Sequence, residues 1–187
     1  MTDASLNPTP GLPKSPSFYG FSRGRLADRF GELGVPRYRA DQVFSWVYQK
    51  RMRDALQMTN LPAALRSQLT SLCDLALPGT PKVFASSDGM THKFVLDLQD
   101  GARVEAVSMR TEKRLTLCVS SQVGCALKCS FCATGLMGLK RNLRAEEIVA
   151  QVIAMSDYND WQDERFNIVF MGMGEPLANL DAVCEAV

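Results

Sequence analysis

Three cysteines, Cys125, Cys129 and Cys132, fall within eight residues in the spacing C-x3-C-x2-C, just after an apolar stretch. Three thiols that close cannot all bury as inert small side chains on one face, so the loop must wrap something. Thiolates are soft ligands that select zinc or an iron–sulfur cluster. Zinc wants a fourth ligand to close a tetrahedron. His92, the only histidine, stands outside any standard spacing, and Cys118 lies seven residues upstream on an expected strand. Three ligands on a four-iron cluster leave one iron open to a small molecule. The spacing favours a [4Fe–4S] cluster, with zinc the standing alternative. A second feature, Gly172-Met173-Gly174-Glu175-Pro176, follows the next apolar run. Glycines there let backbone approach a ligand, and parallel α/β sheets bind ligands at the carboxyl ends of their strands.

Two further side chains are suited to chemistry. Glu105 sits in an alternating stretch on the same face as Val107 and Met109, a partly apolar setting in which a carboxylate is raised toward a useful base. A charge on an edge strand is the plainer reading. Cys118 faces with Thr116 and Ser120, opposite Leu115, Leu117 and Val119, and a lone strand cysteine is as a rule a small buried residue. Cys73 and Cys184 read as packing residues. Lys140, Arg141 and Arg144 follow the cysteine loop and either meet the phosphates of an anionic partner or form a solvated turn.

The elements that must position these groups follow from periodicity. Ser22 caps a helix with Leu26, Phe30 and Leu33 on one face and Gly34 as its stop. Beyond Pro36 a second helix over 40–50 presents Val43, Trp46 and Val47, and a third begins near Pro62 with Leu65, Leu69 and Leu72. Phe30, Phe44, Trp46 and Tyr48 sit at helical spacing beside aliphatics and read as core. From Lys82 the period becomes two. Strands are expected over 83–86 and 93–98 around Asp88-Gly89, over 103–109 after Asp100-Gly101, and over 114–120. A long Cys/Gly loop follows. A helix over 144–157 with Ile148, Val152 and Met155, a strand over 167–171 and a helix under way by Asp181 complete the order. Strand, helix, strand, helix argues for parallel α/β architecture.

Composition narrows the class. The 46% hydrophobic and 22% charged residues are those of a globular chain. No apolar run approaches the roughly 20 residues of a membrane helix. The first twenty residues lack a charged start followed by an apolar core, so a cytoplasmic location is expected. Six cysteines there point to metal or catalysis rather than disulfides. The net charge of +1 hides an asymmetry: residues 1–144 carry 20 Lys/Arg against 11 Asp/Glu, and residues 145–187 carry only Arg165 against nine acids. Eight of the bases (Arg23, Arg25, Arg29, Arg37, Arg39, Lys50, Arg51 and Arg53) fall in 22–53. A basic half of this kind fits nucleic acid; chance unevenness of solvated surfaces is the bland alternative.

These motifs resemble those of the radical S-adenosylmethionine (SAM) enzymes, whose signature is a C-x3-C-x-aromatic-C loop, here with Phe131 as the aromatic, followed by a turn of the "GEP" type. At closer range the stretch LCVSSQVGC ending at Cys125, the segment Arg141-Asn-Leu-Arg144, the turn MGMGEPL ending at Leu177 and the helical RADQVFSW beginning at Arg39 are similar to the RlmN/Cfr family. The resemblance covers residues 22–187. It implies an α/β fold in which a small N-terminal helical module and a β connector precede the first units of a partial radical-SAM (β/α) barrel. The expected boundaries are a flexible tail over 1–17, a helical RNA-facing module over 18–80, a β-hairpin connector over 81–113 and the start of the core over 114–187.

The same resemblance assigns roles. Cys125, Cys129 and Cys132 would hold the [4Fe–4S] cluster, whose open iron chelates the amino and carboxylate groups of S-adenosylmethionine, and Gly174 and Glu175 would line that site. An electron from the cluster would then generate a 5′-deoxyadenosyl radical, the cofactor carrying the chemistry and the protein the positioning. Glu105 would accept the adenine ring proton. Cys118 would resolve a protein–RNA thioether adduct through a transient disulfide. The implied activity is methylation of an adenine ring carbon, C2 favoured over C8, in 23S rRNA and transfer RNA, by a monomer supplied with electrons by a donor such as flavodoxin. The family's methyl-carrying cysteine belongs to its C-terminal part, so the chain is expected to be an N-terminal fragment, inactive alone, with Val119, Ile168, Val169 and Phe170 uncovered. A non-catalytic zinc- or cluster-containing RNA-binding module is the competing function.

Overall fold

The computed structural model describes residues 15–77, 81–161 and 164–187. Residues 1–14 of the expected tail lie outside the described residues. Its last residues are tied in: Ser17 bridges Asp74 in parallel, and Asp74 N–H donates to Pro16 O at 2.8 Å.

The helical module forms where the periodicity puts it. Helix α1 spans Arg23–Glu32, and its cap is Ser22, whose Oγ accepts from Arg25 N–H at 3.2 Å. Gly34 turns the chain out of α1 at φ +70°, which a side chain there would strain. Helix α2 spans Arg39–Phe44 and runs on as a π turn, Ser45–Gln49; α3 spans Ala63–Leu72. Leu26, Phe30, Val43, Val47, Met58, Leu65 and Leu69 close the core between them. The aromatics join this core as expected: Phe18, Phe44 and Tyr48 pack with ring centroids 5.1–5.9 Å apart. Leu33, expected on the buried face, is instead exposed.

The remainder is built on one five-stranded sheet of order β1-β2-β3-β4-β7, from β1 (Lys82–Ala85), β2 (Thr91–Asp97), β3 (Arg103–Arg110), β4 (Leu115–Cys118) and β7 (Phe166–Val169). The sheet runs from the expected connector into the expected core. Strand β3 pairs antiparallel with β4, Val107 opposite Cys118, so the hairpin continues the sheet of the core. In this sheet β4 pairs with β7 in parallel, and α5 (Ala145–Tyr158) lies in the connection between them.

Helix α5 is apolar on two sides because it serves two cores. Ile148, Ala154 and Met155 pack on the sheet face formed by Phe94, Leu96, Val104, Ala106 and Leu117. Val149 and Ile153 pack on the helical module. Val119, expected to be uncovered, is buried in the first of these cores; Ile168 is exposed, as expected. No helix among the described residues is long and apolar enough to cross a membrane.

Candidate cluster and cofactor site

The cysteine loop is less open than a Cys/Gly composition indicates. A two-stranded ribbon of β5 (Gln122–Val123) and β6 (Arg141–Asn142) closes its neck. Lys140 N–H donates to Val123 O at 2.9 Å and Cys125 N–H to Gly138 O at 3.2 Å. Gly124, at φ +76°, lets the two sides meet: a Cβ there would lie 1.9 Å from Gly138 O. Inside the loop the short helix α4 (Ala133–Leu136) begins directly after Cys132. The backbone N–H of Gly135, then that of Thr134, holds the Cys132 thiol below its usual range. Cys125 is buried at the neck and Cys129 is exposed at the tip.

Among the described residues no three His, Cys, Asp or Glu side chains already converge as a metal site. The donor set nevertheless fits an iron–sulfur cluster: three thiols on one braced loop, one of them held toward its thiolate by backbone amides. Among the described residues, the two candidates for a fourth zinc ligand have other partners. His92 packs against the rings of Tyr158 and Phe94, and Cys118 accepts from Met171 N–H.

Strand register puts Glu105 and Cys118 on one face of the sheet. Val107 lies opposite Cys118 and Glu105 is two residues along the same strand, so all three side chains point the same way, with Met109 and Thr116. The opposite face is the one buried under α5. The setting of Glu105 is ionic rather than apolar, because Lys93 on the neighbouring strand lies on the same face and its Nζ donates to Glu105 Oε1 at 3.2 Å. Cys118 is buried, and that burial pushes its thiol up from the ordinary range against the lowering effect of Met171 N–H.

The turn over 172–175 leaves β7 at its carboxyl end and folds back over the segment leaving β4. Ser121 N–H and Gln122 N–H both donate to Met173 O, at 2.9 and 3.2 Å. Glu175 Oε1 accepts from Leu177 N–H at 3.1 Å and so caps the 3-10 turn Pro176–Asn179. The glycines of the turn also admit close protein neighbours. A Cβ on Gly172 would lie 2.7 Å from Ser120 Oγ, and one on Gly174, at φ +98°, 2.5 Å from Gln122 Cβ.

The basic side chains are more committed than their sequence positions indicate. Arg141 forks onto Glu147 at 2.8 and 2.9 Å and also reaches Asp100 at 2.7 Å, which raises its pKa further and ties it into the fold. Arg144 pairs with Glu146 at 2.6 Å. Of the phosphate-contact candidates here, Lys140 alone is left exposed without such a clamp. In the helical module Arg51 and Arg53 both bind Asp157 at the end of α5, and Arg51 adds bonds to Ser156 Oγ and Trp161 O. These two arginines join module to core. Arg23, Arg29 and Arg37 remain at the surface.

Sequence reasoning missed a set of buried polar residues around the site: Ser120, Gln122, Gln151 and Asn179. Gln151 Oε1 accepts from Ser120 N–H at 2.8 Å and its Nε2 donates to Ser120 O at 3.0 Å, completing the backbone where β4 ends. Asn179 Nδ2 donates to Ser121 O and Leu143 O, each at 2.8 Å. One signal was available: Gln151 falls on the apolar stripe of its helix, between Ile148 and Met155.

Residues 17–75 match the family described as ribosomal RNA large subunit methyltransferase N-terminal domain, and residues 119–186 match the radical SAM superfamily. A relative from Bdellovibrio bacteriovorus, named dual-specificity RNA methyltransferase RlmN, is 44% identical over 171 residues, which is 91% of this chain and 43% of the relative. The crystal structure of a radical SAM methyltransferase from Sphaerobacter thermophilus superposes with a TM-score of 0.82 at 43% identity, covering 91% of this chain and 50% of that one. The chain spans about half the length of the curated relatives it matches. With both segments matched in order, and the fold shared along most of its length, the chain belongs to the RlmN family of radical SAM proteins.

Proposed function

We propose that this chain supplies the cluster- and SAM-binding part of an RNA methyltransferase that acts on an adenine ring carbon, C2 favoured, in 23S rRNA and in transfer RNA. The observation that carries the reading is a juxtaposition. The cysteine loop and the 172–175 turn are laced together through Ser121, Gln122 and Met173 at the carboxyl ends of the parallel pair, with Cys118 and Glu105 on one sheet face beside them.

Cys125, Cys129 and Cys132 would hold the cluster. When bound, it supplies the electron that cleaves the sulfur–C5′ bond of SAM. The other roles belong to the chain itself. The turn presents Gly174 and Glu175 beside the cluster loop as the SAM-binding edge. Glu105, held by Lys93, accepts the ring proton at a carboxylate oxygen. Cys118, shielded from water and protonated at neutral pH, is the thiol that releases the RNA from the enzyme. The exposed arginines of the helical module meet RNA phosphates, a contact that weakens with salt. Cytoplasmic residence, a monomeric state and an electron donor of the flavodoxin kind complete the proposal.

Anaerobic reconstitution with iron and sulfide tests it. About four irons per chain are expected, with a brown chromophore. Cys125→Ala, Cys129→Ala and Cys132→Ala should each abolish that chromophore, and Cys73→Ala and Cys184→Ala should retain it. A colourless protein holding one zinc refutes the reading. Mass spectrometry of 23S rRNA from cells lacking the gene identifies the methylated atom; unchanged adenine methylation there removes the substrate assignment.

A further inference from the structure

Ser120 and Gln122 are polar yet almost wholly inaccessible, at 0% and 1% exposure, and none of the roles above uses their side chains. Ser120 Oγ donates to Glu105 O at 2.5 Å and accepts from Met173 N–H at 2.8 Å. Gln122 Oε1 accepts from Glu175 N–H at 2.9 Å, and its Nε2 donates to Asn142 Oδ1 at 2.7 Å. Alternate residues of one extended segment therefore take alternate amides of the turn, Ser120 that of Met173 and Gln122 that of Glu175. The glycines of the turn alternate in the same way. Gly172 leaves room for Ser120 Oγ and Gly174 for the Gln122 side chain, and any Cβ at either place would collide. Shape and hydrogen bonding thus specify the same register twice.

We propose that Ser120 and Gln122 are positioning residues that hold the 172–175 turn in register with the cysteine loop before any cofactor binds. For what the turn receives, this rests on the function proposed above; the positioning itself does not. Through the Ser120 bond to Glu105 O the same comb ties the turn to strand β3. A buried amide that loses its acceptor also loses protection, so each contact can be removed singly.

The test begins without cofactor. In cluster-free protein, Ser120→Ala should speed hydrogen exchange at the Met173 amide about tenfold, and Gln122→Met should do the same at the Glu175 amide. Gln122→Glu, which keeps an acceptor oxygen, should restore protection of Glu175 at mildly acidic pH. In the reconstituted protein both disruptive variants should keep their iron, while the dissociation constant for SAM, measured by equilibrium dialysis of the labelled compound, rises about tenfold. Unchanged protection at both amides overturns the proposal. Loss of iron from both variants also overturns it, because the two residues would then serve folding of the whole loop. If wild-type protein binds no SAM while the exchange results hold, the positioning stands and the proposed function fails.

Discussion

Gly124→Ala tests how the cysteine loop is closed. The substitution adds one methyl group at a residue whose φ is +76°, where an L side chain costs about 1–2 kcal/mol. The new Cβ would lie 1.9 Å from Gly138 O and 3.0 Å from Gly138 C, both backbone atoms with no rotamer to escape into. The neck must open by more than an ångström. That breaks the Cys125 N–H bond to Gly138 O and the Lys140 N–H bond to Val123 O, at about 1 kcal/mol each. The total of about 3–4 kcal/mol multiplies the open-loop population by a factor of about 10² to 10³. Gly138→Ala is the matched control. Gly138 also has positive φ, +69°, but an added Cβ there meets nothing within 4 Å. Its cost is the backbone preference alone, about 1–2 kcal/mol, or about five- to thirtyfold. Two measurements read the difference: the rate at which a chelator bleaches the reconstituted protein, and amide exchange at Cys125 and Lys140 in cluster-free protein. The global melting temperature should move little, because the opening is local. Equal effects of the two substitutions, or a larger effect of Gly138→Ala, would refute the reasoning.

Three other predictions follow from the same geometry. Asp157→Ala removes the shared partner of Arg51 and Arg53, which are partly buried, and should weaken docking of the helical module on α5 by about 1–3 kcal/mol; an unchanged melting profile would assign that docking to apolar contacts alone. Burial pushes the thiol of Cys73 and the phenol of Tyr48 up to about 12 from ordinary values near 9.0 and 10.0, so stability is full below about pH 9 and falls as pH rises toward 12, by about 1.4 kcal/mol per pH unit for each group. Denaturant titrations across that range should show the decline starting about one unit later in Cys73→Ala, and an identical profile would exclude Cys73 as the cause. In an enzyme of the relatives' full length, Cys118→Ala should leave SAM binding intact and trap protein covalently on RNA, seen on a denaturing gel, with Glu105→Gln stalling at a similar point. Normal turnover in either variant would demote that residue to packing.

What the sequence determined by itself is what acts over short range. The C-x3-C-x2-C loop is legible because thiolate ligation needs sulfurs close in the chain. The capped helix α1 and the hairpins are legible because periodicity and turn residues operate within a few positions. Alternation along β3 and β4 likewise located Glu105 and Cys118 on particular faces. That these faces are one face depended on the β3–β4 register, a pairing of strands on either side of position 113. Tertiary structure also decided what each polar group meets. Lys93 pairs with the half-exposed Glu105 carboxylate, Arg51 and Arg53 are committed to Asp157, and Arg141 to Glu147 and Asp100. The partners of Ser120, Gln122, Gln151 and Asn179 were not legible for the same reason, since they lie as far as 31, 53 and 58 residues away. A ligand spacing is written along the chain. The partner of a buried amide or guanidinium is chosen by which strands and helices come to lie side by side, because burial forces each such group to find a hydrogen bond there.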